Sequence, residues 1–225
     1  MDDAEKAAAA LETLRRAEDA VLAASPLRGM EAWVTSGRFP DAAAIRGFGF
    51  REDSQDRPQD MRRARGAFTR RWGFSIPCAE AVAGLVRLSP LVEVGAGTGY
   101  WSCAVKAAGG DVVATDLHPA GGSQYAFGPA RWTQIEPLGA VEAVRAYPDR
   151  NVFCSWPSEK EGWMAEAARA MRPGRCLALI GYDRGGVTGD EALFDLLDEG
   201  FEPAGQFAIP QFPGKRDRLT VHRRR

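Results

Sequence analysis

The stretch Leu91-Val-Glu-Val-Gly-Ala-Gly-Thr-Gly-Tyr-Trp101 constrains this chain more than any other. A short run of strand character enters a loop with glycines at 95, 97 and 99, and a helix-forming segment follows. Glycine is favoured where the backbone takes conformations that other residues resist, and where a ligand must come close to the main chain. A glycine turn that serves no ligand is the plainer alternative, at an entropic cost repeated three times. A second apolar run ends Val113-Ala-Thr-Asp116. An acidic residue in that place can accept hydrogen bonds from the two ribose hydroxyls of a nucleoside.

From residue 73 onward, apolar runs of strand length alternate with segments of helix length. The runs lie at 91–94, 112–115, 152–156, 176–182, 205–209 and 219–222, with a weaker one at 131–135. Helical stretches are expected near 78–88, 99–109, 137–146, 159–171 and 189–199. Such alternation argues a mostly parallel sheet covered on both faces. The last two runs follow each other with no helix between, joined by residues 210–217 with Pro210, Pro213 and Gly214. That reads as a hairpin and predicts an antiparallel final strand. The capping-box spacing of Thr188 and Glu191 predicts a helix start there.

Residues 1–72 read as a helical N-terminal extension, acting as a lid or a dimer surface, and 73–225 as the main domain. Leu11, Leu14, Ala17, Val21 and Leu22 have helical spacing over 3–24, and Pro26 stops that helix. Residues 27–72 carry Gly29, Gly37, Gly47, Gly49, Pro40 and Pro58, and read as short helices and loops. Arg62, Arg63, Arg65, Arg70 and Arg71 form a local basic cluster whose bland reading is a solvated helix face.

The chain has 225 residues, of which 45% are hydrophobic and 26% charged, with a formal net charge of -1. No global field draws such a chain to nucleic acid or membrane. Cys78, Cys103, Cys154 and Cys176 form neither a CxxC pair nor a Cys/His cluster with metal-ligand spacing, so no metal is expected. The acidic start and the lack of a long apolar run favour a cytoplasmic protein.

The dinucleotide pattern G-x-G-x-x-G fails here, because Gly95 and Gly97 are followed by Tyr100 where the third glycine belongs. The pattern present is E-x-G-x-G-x-G, which resembles motif I of the class I methyltransferases that use S-adenosyl-L-methionine (SAM). The resemblance spans about residues 74 to 225 and implies a Rossmann-like α/β three-layer sandwich. It implies a sheet of seven mostly parallel strands with a C-terminal antiparallel hairpin. It further implies that Glu93, Gly95, Ala96, Gly97, Thr98 and Gly99 form the cofactor loop, that Asp116 holds the ribose, and that Trp101 and Leu117 lie beside them. A nicotinamide cofactor is the alternative.

The run at 152–156 ends Ser155-Trp-Pro-Ser158. Amine-directed members of that family often carry a polar residue, two prolines and an aromatic here, and this segment resembles a polar–aromatic–proline variant. Phe74-Ser-Ile-Pro77 resembles a segment that some of them place beside the methionine end of the cofactor. The resemblance therefore adds Phe74, Ile76, Pro77 and Ser155 to the cofactor set. It points to Ser155, Trp156 and Pro157 on the acceptor side, and the loops at the carboxyl edge of the sheet add His118 and Tyr182. Trp156 can stack on a flat group or plug the sheet, Ser155 can cap the next helix, and Pro77 can simply start one. Of the two histidines, His118 lies near the ribose end and is the candidate base, while His222 reads as structural. The expectation is SAM-dependent methylation of a small molecule, at an amine or heteroaromatic nitrogen. A homodimer remains open and a nucleic-acid partner is disfavoured. Three rivals are other SAM-consuming chemistry that releases methylthioadenosine, a nucleic-acid methyltransferase, and a non-catalytic SAM-binding subunit.

Overall fold

The computed structural model describes residues 2–45, 57–119 and 130–225. The glycines at 47 and 49 lie outside the described residues. The chain opens with α1 (Asp3–Ala23), whose N-terminus is closed by a capping box between Asp2 and Glu5. Among the described residues three further helices follow, α2 (Met30–Ser36), α3 (Ala42–Ile45) and α4 (Arg57–Arg71). The alternating region then runs α5 (Ala79–Arg87), β1 (Leu91–Val94), α6 (Tyr100–Ala107), β2 (Val112–Thr115), β3 (Ile135–Glu136), α7 (Ala140–Ala146), β4 (Asn151–Ser155), α8 (Trp163–Ala170), β5 (Cys176–Gly181) and α9 (Glu191–Gly200). It ends in the hairpin β6 (Phe201–Ala208) and β7 (Arg218–Arg224).

The seven strands form one sheet in the order β3-β2-β1-β4-β5-β7-β6. The first five are parallel, and β7 runs antiparallel between β5 and β6. The chain order reverses between β1 and β4, which is where open α/β sheets part their loops and bind ligands.

Successive strand residues point to opposite faces, so each strand feeds two cores. Leu91, Val112, Phe153, Ala178, Ile180 and Leu219 bury one face under α5, α6 and the extension. Val92, Val94, Val152, Cys154, Leu177 and Leu179 bury the other under α7, α8 and α9. The extension is part of the first of these cores through Leu27, Met30, Val34, Phe68 and Trp72, all buried. Gly37 sits so close to α6 that a Cβ on it would lie 2.3 Å from the Ala108 nitrogen. Glu80, on α5, accepts the Ala42 backbone N–H at the start of α3 at 2.9 Å.

Three expectations are corrected. The third strand is only Ile135–Glu136, because Trp132 leaves the sheet: its backbone N–H goes to Thr98 O and its indole N–H to Arg71 O. The sixth strand begins at Phe201, not 205. Pro203, which has no N–H to give, is absorbed by a register shift on this edge strand. Asp190, not Thr188, caps α9 by accepting the Leu193 N–H, while the Thr188 hydroxyl accepts the Tyr182 N–H at 2.8 Å.

Candidate functional site

The loop between β1 and α6 turns through left-handed backbone at Gly95, Gly97 and Gly99, with φ of 67°, 58° and 76°. Space adds a second reason for glycine at position 99, where a Cβ would lie 2.9 Å from Thr133 Cγ2. The loop is held from below. Ala96 N–H reaches Thr115 O at 2.9 Å, and the buried Thr98 hydroxyl donates to Trp72 O. Gly95 is exposed and Gly97 half-buried, so main chain of the turn is open to a ligand.

Asp116 follows β2 directly. Its Oδ2 accepts the Gly97 N–H and its Oδ1 the His118 N–H, both at 2.8 Å. The carboxylate is thereby tied to the glycine loop in one orientation, and each oxygen keeps a further lone pair. Beside it Leu117 is 62% exposed, an apolar side chain offered to solvent at the edge of the sheet.

Glu93 never reaches this surface. It is buried in β1, where its Oε2 accepts both the N–H and the hydroxyl of Ser102 and so ties the strand to the first turn of α6. Burial pushes its carboxyl up to about 7, against the pull of those two donors. Trp101 and Ile76 are likewise fully buried. Trp101 meets Phe153 edge-on at 5.8 Å and gives its indole N–H to Ser75 Oγ at 3.0 Å. All three side chains are therefore buried, away from the open main chain of the loop.

A second constellation stands at the carboxyl ends of β4 and β5. Ser155 Oγ lies 2.8 Å from Ser75 Oγ, which also meets Tyr100 Oη at 3.1 Å. Trp156 has φ of 61°, a left-handed conformation that is a real outlier for so bulky a residue. It is held from several sides. Its backbone N–H goes to Ile180 O at 2.7 Å and its indole N–H to Asp217 Oδ2 at 3.1 Å. Phe74 stacks on it at 5.0 Å and Tyr182 meets it edge-on at 5.9 Å. The Arg65 guanidinium carbon lies over its ring at 5.8 Å. Strain fixed in this way is a recurrent mark of functional sites. Buried Asp217 has its carboxyl pushed up to about 6, chiefly by loss of water, with Trp156 and Arg65 pulling it back down.

The structure thus brings Phe74, Ser155, Trp156 and Tyr182 together, with buried Pro77 and Pro157 packed in the adjoining loops. It does not bring His118 to them. His118 is exposed after β2, and with β1 standing between β2 and β4 the separation is about 10 Å at the usual strand spacing. A base role for it at Ser155 has no geometric support. Sequence reasoning missed Ser75, Tyr100, Arg65 and Asp217 as parts of the site. Ser75 lies inside the Phe74–Pro77 segment that was singled out, so its neighbours were a usable signal. Nothing in the hairpin loop marked Asp217.

Of the basic cluster, Arg65 turns to the aromatic group, Arg70 pairs with Glu18, and Arg71 pairs with Asp19 and Glu31. A separate cavity of about 230 Å³ lies between β5, β7 and α9. It is rimmed by Arg184, which pairs with Glu191, Asp195 and Asp198, and by Arg218, which pairs with Asp183. It shares Tyr182 and Pro157 with the site but not the glycine loop. Among the described residues no cluster of His, Cys, Asp and Glu is arranged to hold a metal ion, and no helix is long and apolar enough to cross a membrane.

Neither the family models nor the curated proteins compared with this chain match it. Solved structures do. The crystal structure of magnesium protoporphyrin IX methyltransferase from Synechocystis PCC 6803 with bound SAM is similar at 17% identity and a TM-score of 0.41, covering 65% of this chain and 77% of that one. N-methyltransferase NodS from Bradyrhizobium japonicum WM9 is similar at 18% identity and a TM-score of 0.41, covering 64% of this chain and 94% of that one. The 1,6-didemethyltoxoflavin-N1-methyltransferase of Burkholderia thailandensis, with bound 1,6-didemethyltoxoflavin and S-adenosylhomocysteine, is similar at 17% identity and a TM-score of 0.41, over 64% of this chain and 76% of that one. Strand order rather than these likenesses carries the fold: with β1 and its glycine loop at the switch point and β7 antiparallel at the far side, this is a Rossmann-like α/β protein in the arrangement that the resemblance to class I SAM-dependent methyltransferases implied.

Proposed function

We propose that this chain binds SAM over the glycine loop and transfers the methyl group to a small molecule at the ends of β4 and β5. One observation carries the reading: Asp116 is tied to Gly97 N–H with the exposed Leu117 at its side. A carboxylate so fixed suits two ribose hydroxyls, and an exposed leucine beside it suits the face of an adenine. The open main chain at Gly95 and Gly97 suits the methionine portion. SAM supplies a methyl group on a sulfonium that is already a good leaving group. What remains for the protein is proximity and alignment.

On the acceptor side, Ser155 offers a hydroxyl whose direction is set by Ser75, and Phe74, Trp156 and Tyr182 wall the space. Neither histidine serves this space: His118 is on the far side of β1, and half-buried His222 is hydrogen-bonded to Thr220 in β7. An acceptor that already carries a free lone pair fits best, which favours an amine or heteroaromatic nitrogen over a hydroxyl that must lose a proton.

The test is product identity. Incubation with SAM and a pool of small amines and heteroaromatic bases should yield S-adenosylhomocysteine and a methylated amine in equal amounts by mass spectrometry. Methylthioadenosine in its place would mean attack at another carbon of the sulfonium and would overturn methyl transfer.

A further inference from the structure

The short segment Trp72–Ser75, which leaves the end of α4, touches both the glycine turn and the end of β4. On the turn side, the Thr98 hydroxyl donates to Trp72 O, and the Tyr100 hydroxyl donates to Ser75 O at 2.7 Å. Tyr100 Oη also accepts the Ser75 N–H at 3.3 Å, and a Cβ on Gly73 would lie 2.7 Å from Tyr100 Cε1. On the β4 side, Phe74 stacks on Trp156 at 5.0 Å and Ser75 Oγ lies 2.8 Å from Ser155 Oγ. Thr98, Ser75 and Tyr100 are 0, 1 and 4% exposed. Interiors packed this closely transmit a displacement instead of absorbing it. The turn itself divides the work: Gly95 and Gly97 leave main chain open, while Ala96, Thr98 and Tyr100 are buried.

We infer that Thr98 and Tyr100 are positioning residues: through Trp72–Ser75 they set Ser155 and Trp156 according to whether the glycine turn is occupied. The acceptor then binds the cofactor-loaded protein more tightly, by about tenfold, and loads second. The reading of the turn as a SAM seat supplies the occupant, but the link from turn to Ser155 does not depend on it. An occupant can bias the link because Asp116 holds the Gly97 N–H in the same turn that carries Thr98. Whatever fixes the main chain there fixes Thr98, and with it the carbonyl of Trp72. Tyr100 does the same one step along, at the first residue of α6, where it grips Ser75 through three hydrogen-bonding atoms. The coupling is reciprocal by necessity, so an acceptor that needs Ser155 in its set position tightens the cofactor by the same factor.

The test is fluorine NMR of the full chain with its six tryptophans replaced by 5-fluorotryptophan. Trp156 is assigned through Trp156→Phe, and Trp33, on α2, reports that the fold is intact. Without ligand, Thr98→Val and Tyr100→Phe should each move the Trp156 resonance, whereas Thr98→Ser, which keeps the hydroxyl, leaves it in place. S-adenosylhomocysteine, as probe, should shift Trp156 in the wild type by more than the linewidth. In either variant it should still bind, but with less than half of that shift. A loss of stability alone would leave the Trp156 response as it is in the wild type. The inference is overturned by a Trp156 resonance unmoved in both ligand-free variants, or by wild-type binding of S-adenosylhomocysteine that leaves Trp156 unmoved. An undiminished response in both variants overturns it too, since the ligand would then act on Trp156 by direct contact. Moved resonances in the ligand-free variants of a protein that does not bind S-adenosylhomocysteine would uphold the positioning role and remove the cofactor reading instead.

Discussion

Glu93 is buried in β1 and ties that strand to the first turn of α6 through Ser102. Its carboxyl is buried and pushed up to about 7 from an ordinary value of 4.5. Between those values the unfolded chain binds fewer protons than the folded one, so stability falls as pH rises. The contribution is fully present below about pH 4.5 and lost by about pH 7. Asp217 acts in the same direction between its ordinary 3.8 and about 6. Glu93→Gln keeps an acceptor for the Ser102 N–H and hydroxyl but removes the titration. Thermal melts from pH 4.5 to 8 should show a flatter slope in this variant, with a gain at pH 8 on the order of 1–3 kcal/mol. An unchanged slope would mean that Glu93 is not the group responsible. The glutamate was legible as part of a motif, but its role was not. Sequence spacing places it two residues before the first glycine, and only the packing of β1 against α6 turns it inward to Ser102.

At the scale of elements, the strands at 91–94 and 112–115 were legible to the residue, because both are short, apolar and fenced by glycines or by an aspartate. Elements failed to read where side chains chose tertiary partners over local ones. Trp132 abandons the third strand to cover the glycine loop, and Thr188 gives up the cap of α9 to hold Tyr182. Neither choice leaves a trace in periodicity. The cluster that ends β4 was legible in Ser155, Trp156 and Pro157. Its support was not, because Ser75 meets Ser155 from the loop between α4 and α5, and Tyr100 and Trp101 hold Ser75 from the start of α6. Ser75→Ala should leave Ser155 free to rotate. Turnover is expected to fall by about tenfold to a hundredfold, as for other losses of alignment, with the affinity for S-adenosylhomocysteine unchanged. Equal losses in both would make Ser75 a structural residue only. Trp156→Ala, by contrast, strips Asp217 of its indole partner and opens the aromatic group. A loss of about 2–4 kcal/mol in denaturant unfolding is expected from a half-buried tryptophan.

For the whole molecule, strand alternation pointed to the right architecture, yet it left the extension undetermined. The structure gives it a place: Met30, Val34, Phe68 and Trp72 fill the same core as Leu91, Phe153 and Ile180. Ion pairs from Arg70 and Arg71 to Glu18, Asp19 and Glu31 fasten α1 and α2 to α4. Calorimetry should therefore show one cooperative unfolding transition, and removal of residues 1–45 should abolish it rather than leave an intact sheet. Two separable transitions would contradict a shared core.

The central claim is that Asp116 and the glycine loop form a seat for SAM. Isothermal titration with S-adenosylhomocysteine tests it most directly, on the wild type, Asp116→Ala and Gly97→Arg. Micromolar binding by the wild type, lost in both variants while their melting temperatures stay within a few degrees, is the result expected. Wild-type silence, or binding that survives both substitutions, would contradict the account. A parallel titration with NAD would then show whether the loop serves a dinucleotide instead.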